Sequence, residues 1–325
     1  MTTTIGYKLF HYAQKKIFLS EPDNWFRGHL PLCNKESANE IIYHAIDTTT
    51  PFMVARLGST EMKPTLYYST LVKNSIVKNM LLYLKGDIDY IFNKKDYFTR
   101  MSSTMLSHSG FFCINKEDSL KVFAQRMEEY IAEMDLCGAW LNEYILKDKF
   151  SKKAQFCKLE DLEPYDYDKP WSQALKGKRV LVIHPFAESI KAQYARKDSI
   201  WPDKEVLPDF ELITIKAVQS LGGAETPYKD WFEALEAMEA QMDIIEYDVA
   251  LTGCGAYGLP LAAHAKKTGH IGIHLGGPLQ ILFGIKGKRW DNIPEVAKFY
   301  NDSWVRPLPE ETPECHAAVE DSCYW

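Results

Sequence analysis

Apolar residues along this chain follow two rhythms: short aliphatic runs, and longer stretches in which they recur every three or four positions. The first pattern reads as strands buried on both faces, the second as amphipathic helices. Phe52-Met53-Val54-Ala55, Arg179 to Ile183, Phe210 to Ile215, Val249-Ala250-Leu251 and His270 to Leu275 are strand runs, with Phe111 to Ile114 and Asp135 to Trp140 as further strand segments. Lys116 to Met134 predicts a helix, because Leu120, Phe123, Met127, Tyr130, Ile131 and Met134 share a face. Pro227 to Ile245 predicts another, striped by Trp231, Leu235, Met238, Met242 and Ile245, with Thr226 as its cap and Pro227 in its first position. Shorter helical patterns cover Glu36–Ile46, Met62–Tyr68, Ser75–Phe92, Leu141–Phe150, Ala187–Arg196, Leu259–Thr268 and Gln280–Ile285. Strand, turn, helix and strand recur without a fixed-period repeat, which implies an α/β protein: a mostly parallel sheet with helices on both faces.

This division places an N-terminal helical segment at 1–50, one α/β domain at 51–305, and a proline-rich tail at 306–325 draped over the surface. The interval 151–171 is charged, rich in tyrosine and poor in aliphatics, and reads as a connection that could join two lobes. Ile5 to Leu19 carries Lys8, Lys15 and Lys16 on a helical pattern, which suits docking onto the body or a weak peripheral contact with a membrane. No run approaches the length of a membrane span, and the beginning lacks the apolar core of a secretory signal.

Composition narrows the function classes. Hydrophobic content is 46% and charged content 25%, as in ordinary globular proteins, and a net charge of −6 leaves no electrostatic footprint for nucleic acid. The 7 cysteines are odd in number and include no C-x-x-C pair, so they suggest neither a zinc site nor a disulfide framework and fit reduced thiols in the cytoplasm.

Candidate chemistry sits at the ends of three predicted strands. Val249-Ala250-Leu251 runs into Gly253-Cys254-Gly255-Ala256-Tyr257-Gly258, a G-x-G-x-x-G that opens a small-residue helix and leads to a strand ending on Gly276-Gly277. Such a βαβ unit offers backbone N–H groups to an anion, and it reads either as a phosphate or nucleotide site or as a tight turn. A dinucleotide fingerprint would place a carboxylate at the end of the second strand, where His274-Leu275-Gly276 stands. Lys286, Lys288 and Arg289 follow and could neutralise a diphosphate, or form a solvated basic turn. The second strand end is Arg56-Leu57-Gly58-Ser59-Thr60-Glu61. Here Arg56 could fork onto a phosphate and Glu61 could hold a metal or a sugar hydroxyl, or the segment is a capped helix start. At the third, His184 precedes Glu188 by one helical turn, a spacing that allows base and orienter, or a hydrogen-bonded turn histidine. No serine-hydrolase, zincin or Walker motif is present.

The order of these pieces resembles the bacterial glycosyltransferases of the GT-D fold, Rossmann-like proteins whose first strand ends in an R-x-G-D-G-E-like turn. Arg56-Leu57-Gly58-Ser59-Thr60-Glu61 is similar to that turn, and Asp248 to Gly277 to the family's late glycine unit; the likeness covers chiefly 50–70 and 175–280. It implies transfer of a sugar from a nucleotide-diphosphate donor, a UDP-sugar above all, to a glycan or lipid-linked acceptor in building a surface polysaccharide. In that picture Arg56, Gly58, Ser59, Gly253, Gly255, Tyr257, Gly258, Gly276, Gly277 and Arg289 bind the donor, and Glu61, His184 and Glu188 carry catalysis. The family's D-x-E carboxylates serve Mn²⁺ or Mg²⁺; this chain has Ser59 at the first of them and keeps only Glu61. A non-catalytic sugar-nucleotide-binding or scaffolding relative in the same pathway and a Rossmann-type NAD(P) enzyme are the alternatives.

Overall fold

A computed structural model describes residues 30–84, 88, 94–113, 115–202, 204–314, 316 and 322–325; the expected helix at Ile5 to Leu19 lies outside them. In chain order the elements are α1 (Lys35–Thr48), β1 (Phe52–Ala55), α2 (Ser59–Leu66), α3 (Ile76–Leu84), α4 (Lys94–Ser109), α5 (Lys116–Ala132), β2 (Leu136–Ala139), β3 (Gln155–Lys158), β4 (Arg179–His184), α6 (Ala187–Tyr194), α7 (Lys197–Ile200), β5 (Glu211–Lys216), α8 (Trp231–Asp243), β6 (Val249–Thr252), α9 (Gly258–Lys267), β7 (Ile271–His274), α10 (Pro278–Leu282) and α11 (Pro294–Ala297). The strands form one seven-stranded sheet in the order β3-β2-β1-β7-β6-β4-β5, and every pairing is parallel. This is the α/β, Rossmann-like arrangement that the aliphatic runs imply.

Two cores flank the sheet. Side chains alternate between them along each strand: Met53, Leu181, Ile183 and Ala250 enter one, and Val54, Val180, Val182 and Leu251 the other. Segments that carry the chain from β1 to β2, β5 to β6 and β6 to β7 all advance toward the β3 edge, and their helices α2, α4, α5, α8 and α9 share the first core. The crossover from β4 to β5 advances the opposite way, and α6 and α7 fall in the second core with α1 and α10. Right-handed crossovers require this division, because reversing direction along the sheet sends the connecting helix to the opposite face.

The small-residue character of α9 has a packing cause. Ala262, Ala263 and Ala265 are fully buried, and a Cβ on Gly272 of β7 would meet the Ala262 carbonyl oxygen at 2.0 Å. Helix and strand backbones therefore touch at this point, and the helix closes at Gly269, whose φ is +94°.

Several expectations change. Helix α8 begins at Trp231 rather than Pro227, because Asp230 accepts the Glu233 N–H at 3.0 Å and is the working cap in place of Thr226. Phe111 to Cys113 forms no strand, and the helix expected at Leu141–Phe150 is a 3₁₀ segment, Glu143–Lys149. The connection 151–171 contains β3, which pairs with β2 through Cys137 and Phe156 and forms the edge of the sheet. The tail is anchored rather than draped: the buried Glu311 carboxylate accepts the backbone N–H of Glu188 at 2.8 Å and of Ser189 at 3.3 Å, and so caps the start of α6.

Candidate functional site

All seven strands point the same way, so the three chemically marked strand ends share one edge of the sheet. Neighbouring strands β4 and β6 there send their following helices, α6 and α9, to opposite faces, and the parting chains leave a crevice. A cavity of about 340 Å³ opens at that place. Arg56, Gly58, Ser59 and Glu61 line it from β1, His184 from β4, Gly253, Gly255 and Tyr257 from the glycine turn, and Gly276, Gly277 and Arg289 from the segment after β7. Arg56 and Arg289, far apart in the sequence, thus meet in one pocket.

Two predicted site residues have other positions. Glu188 is not on the cavity wall: its side chain is over half exposed and pairs with Lys191 at 2.8 Å. Gly258 opens α9 beside the His274 ring, and a Cβ there would lie 2.2 Å from Cε1, so its smallness serves helix-to-ring contact. Gly255 is the residue of the turn with a left-handed backbone, φ +58°, and approaches the Ser109 carbonyl of α4. Tyr257 stacks on Trp231 with ring centroids 5.2 Å apart, and its hydroxyl lies 3.3 Å from Ser220 Oγ.

Arg56 is the centre of the charged wall. Its guanidinium lies over the Trp140 ring, 4.7 Å from the centroid, and Trp140 is held by its Nε1 donating to the Leu57 carbonyl at 2.8 Å. Glu143 fixes the turn that carries Trp140 by accepting the backbone N–H groups of Trp140 at 3.2 Å and Leu141 at 2.8 Å. Burial pulls the Arg56 guanidinium below its usual range, and the nearby Glu61 charge opposes that pull. Arg289 adds a second positive charge on the same wall, and its own guanidinium lies 4.9 Å from the Tyr324 ring centroid. Glu61 is only 9% exposed, and its carboxylate lies directly over Gly58, where a Cβ would fall 1.8 Å from Oε2. Any other residue at position 58 would evict it.

Both imidazoles on the wall are neutral. His184 is 3% exposed, its Nδ1 accepts the Phe186 N–H at 3.0 Å, and burial pushes its pKa down to about 3. His274 is likewise pushed down to about 3, by burial first and by the Arg56 charge second. Glu143 moves the other way, up to about 7, because burial outweighs its backbone hydrogen bonds. Glu163, bonded to the Tyr165 hydroxyl at 2.5 Å, also rises to about 7 through burial.

Buried polar side-chain atoms nearly always have a hydrogen-bond partner, so those without one call for an explanation. Among the described residues Arg56 Nε, Ser109 Oγ and Gln280 Oε1 are such atoms, and all three residues line this cavity. A polar ligand in the cavity would supply the partners that the protein withholds. The donor set does not suit a protein-held metal: hard divalent cations take six or more oxygens, and Glu61 is the one side-chain carboxylate among the described residues of the wall. No group of three or more His, Cys, Asp or Glu suited to a metal occurs among the described residues.

Sequence reasoning missed Trp140, Ser109, Gln219, Tyr324 and Trp325, all of which line the cavity. Tyr324 and Trp325 arrive there because Arg289 N–H donates to the Cys323 carbonyl at 2.9 Å and Lys288 N–H to the Trp325 carbonyl at 3.2 Å. No local pattern marks a chain segment that returns to a distant site in this way. Among the described residues, no helix is long and apolar enough to cross a membrane. Comparison with family models, with curated proteins and with solved structures finds no match for this chain.

Proposed function

We propose that this protein is a glycosyltransferase that moves a sugar from a nucleoside-diphosphate donor to a hydroxyl-bearing acceptor. The observation that carries the reading is the meeting of Arg56, Glu61 and the Gly276-Gly277 turn in one crevice, where Arg56 Nε, Ser109 Oγ and Gln280 Oε1 are buried without protein partners. A diphosphate suits the wall of Arg56 and Arg289, where a planar guanidinium held against Trp140 presents its donors as a fixed fork. In the transfer, the acceptor oxygen bonds to the anomeric carbon as the bond from that carbon to the diphosphate oxygen breaks. The nucleoside diphosphate leaves with the electron pair, its growing charge stabilised by the two arginines.

The acceptor must also lose a proton. His184 does not suit that task, because its Nδ1 is occupied and its ring is hard to protonate. Glu188 points elsewhere. Glu61, a carboxylate on the cavity wall, is the group that this reading assigns to receive the proton. Charge on the leaving diphosphate is met by the arginines, so the reading expects donor binding that survives removal of divalent ions. Cytoplasmic location, a UDP-sugar donor and a glycan or lipid-linked acceptor belong to the same reading.

One observation favours a second reading, a sugar-nucleotide-binding protein without turnover: the single carboxylate where the resembled family has two. Calorimetric titration against a panel of nucleotide sugars, with Mn²⁺ and with EDTA, and with NADH as a separate arm, tests both. Micromolar binding of a nucleotide sugar in EDTA, with release of nucleoside diphosphate that Glu61→Gln abolishes while binding persists, is the expected result. Binding with no release in any arm would favour the second reading. NADH binding without nucleotide-sugar binding would defeat both.

A further inference from the structure

The two cavity histidines are held in opposite tautomers. His184 Nδ1 accepts the Phe186 backbone N–H at 3.0 Å, so a neutral His184 carries its proton on Nε2. His274 Nδ1 lies 3.3 Å from the Thr252 carbonyl oxygen and 3.2 Å from Thr252 Oγ1, whose own proton goes to the Gly258 carbonyl at 2.8 Å. Both neighbours of that nitrogen are therefore acceptors, Nδ1 must be the protonated atom, and Nε2 of His274 keeps a lone pair. Burial keeps both rings neutral. Their Nε2 atoms have no protein hydrogen-bond partner among the described residues, and both rings line the cavity.

We propose that His184 and His274 form a fixed donor–acceptor pair that reads hydroxyl groups on the sugar of the bound donor. His184 Nε2–H donates to one hydroxyl oxygen, and His274 Nε2 accepts the proton of another. A hydroxyl is both donor and acceptor and satisfies either ring, whereas a fully ionised phosphate offers no proton to His274. Gln280 Oε1, buried and without a partner, is a second acceptor on the same wall. Division of labour follows: the guanidinium wall takes charge, and the neutral wall takes hydroxyls. The sugar part of this inference rests on the donor reading above, while the tautomers stand apart from it.

Both parts are tested on the full chain labelled with ¹⁵N-histidine, with UDP and UDP-glucose as probes. In the ligand-free protein, long-range ¹H–¹⁵N spectra should show His184 protonated at Nε2 and His274 at Nδ1. UDP-glucose should shift both Nε2 resonances, and UDP alone should leave them nearly unmoved. His184→Gln, whose amide places a donor near the Nε2 position, should keep the preference for UDP-glucose over UDP, and His184→Phe should lose about 10-fold of it, the worth of a hydrogen bond to a neutral group. Either histidine in the other tautomer overturns the inference, whatever the nucleotides do. Equal Nε2 shifts with UDP and UDP-glucose overturn the sugar assignment while leaving the donor reading intact. Correct tautomers with no binding of either nucleotide overturn the donor reading and the sugar assignment with it.

Discussion

Arg56→Ala is expected to weaken binding of a nucleoside diphosphate by about 100-fold, roughly 3 kcal/mol, as measured by calorimetry with UDP. The size of the effect comes from where the charge is held. Arg56 Nε is buried without a hydrogen-bond partner, and the guanidinium carbon lies over the Trp140 ring, 4.7 Å from its centroid, so the protein has already desolvated and placed this group. A phosphate that binds it pays little further ordering cost. Arg56→Lys keeps the charge but loses the forked donors and the contact of the guanidinium with the Trp140 ring, and is expected to fall between, about 10-fold weaker than the parent. Arg56→Ala also leaves the buried Glu61 carboxylate without its neighbouring positive charge and should lower the melting temperature, whereas Arg56→Lys keeps that charge and should lower it less. An Arg56→Ala protein that binds UDP as tightly as the parent would remove the charged wall from the account.

The second large effect is the pH dependence of stability. His184 and His274 stay neutral in the folded protein down to about pH 3, whereas the same side chains in the unfolded chain take up protons near pH 6.5. Below that pH the unfolded state binds more protons, so each histidine removes about 1.4 kcal/mol of stability per pH unit as pH falls. Glu143 and Glu163 act in the opposite sense. Their folded pKa values, about 7, lie above the unfolded 4.5, so between these limits the folded state binds more protons and stability rises as pH falls. Two histidines and two glutamates offset one another from about pH 6.5 to 4.5. Below 4.5 these glutamates are protonated in both states, and of the four groups the histidines alone still titrate, at about 2.7 kcal/mol per unit, with the lowered carboxyls of Glu128 and Asp248 acting in the same sense. Urea midpoints should therefore stay flat to about pH 4.5 and then collapse toward pH 3. Glu143→Gln removes one of the offsetting carboxyls, and its stability should already decline below pH 6.5, by about 1.4 kcal/mol per unit. A parent protein equally stable at pH 3 and pH 6 would contradict the burial of both imidazoles.

How far the sequence carries the structure depends on where each element sits. Arg179 to Ile183 and Val249 to Leu251 are legible because a central strand of a parallel sheet must be apolar on both faces. Strand β3 is not, because as an edge strand it buries only Phe156 and Cys157 between exposed Gln155 and Lys158. Helix α4 escapes notice for a related reason: its buried Met101 and Met105 are diluted by serines and threonines. Within the candidate site, Arg56, Glu61, His184 and the glycines are marked by their position after strand-like runs. Their meeting is not marked, since it depends on β7 inserting beside β1 and on β6 lying between β4 and β7. Glu188 illustrates the opposite case: the spacing to His184 is right for a shared helix face, but His184 closes β4, and α6 begins only at Ala187. Trp140, Tyr324 and Trp325 reach the cavity through long-range hydrogen bonds to Leu57, Arg289 and Lys288, which no window of sequence contains.

The central claim is that one crevice, assembled from the ends of β1, β4, β6 and β7, holds the diphosphate of a sugar nucleotide. A crystal structure of the full chain with UDP bound tests it most directly. Diphosphate oxygens are expected within hydrogen-bond distance of the Arg56 guanidinium and beside the Gly276-Gly277 turn, with His184 and His274 left facing the space where the sugar would lie. A diphosphate bound elsewhere on the molecule, with Arg56 untouched, would contradict it.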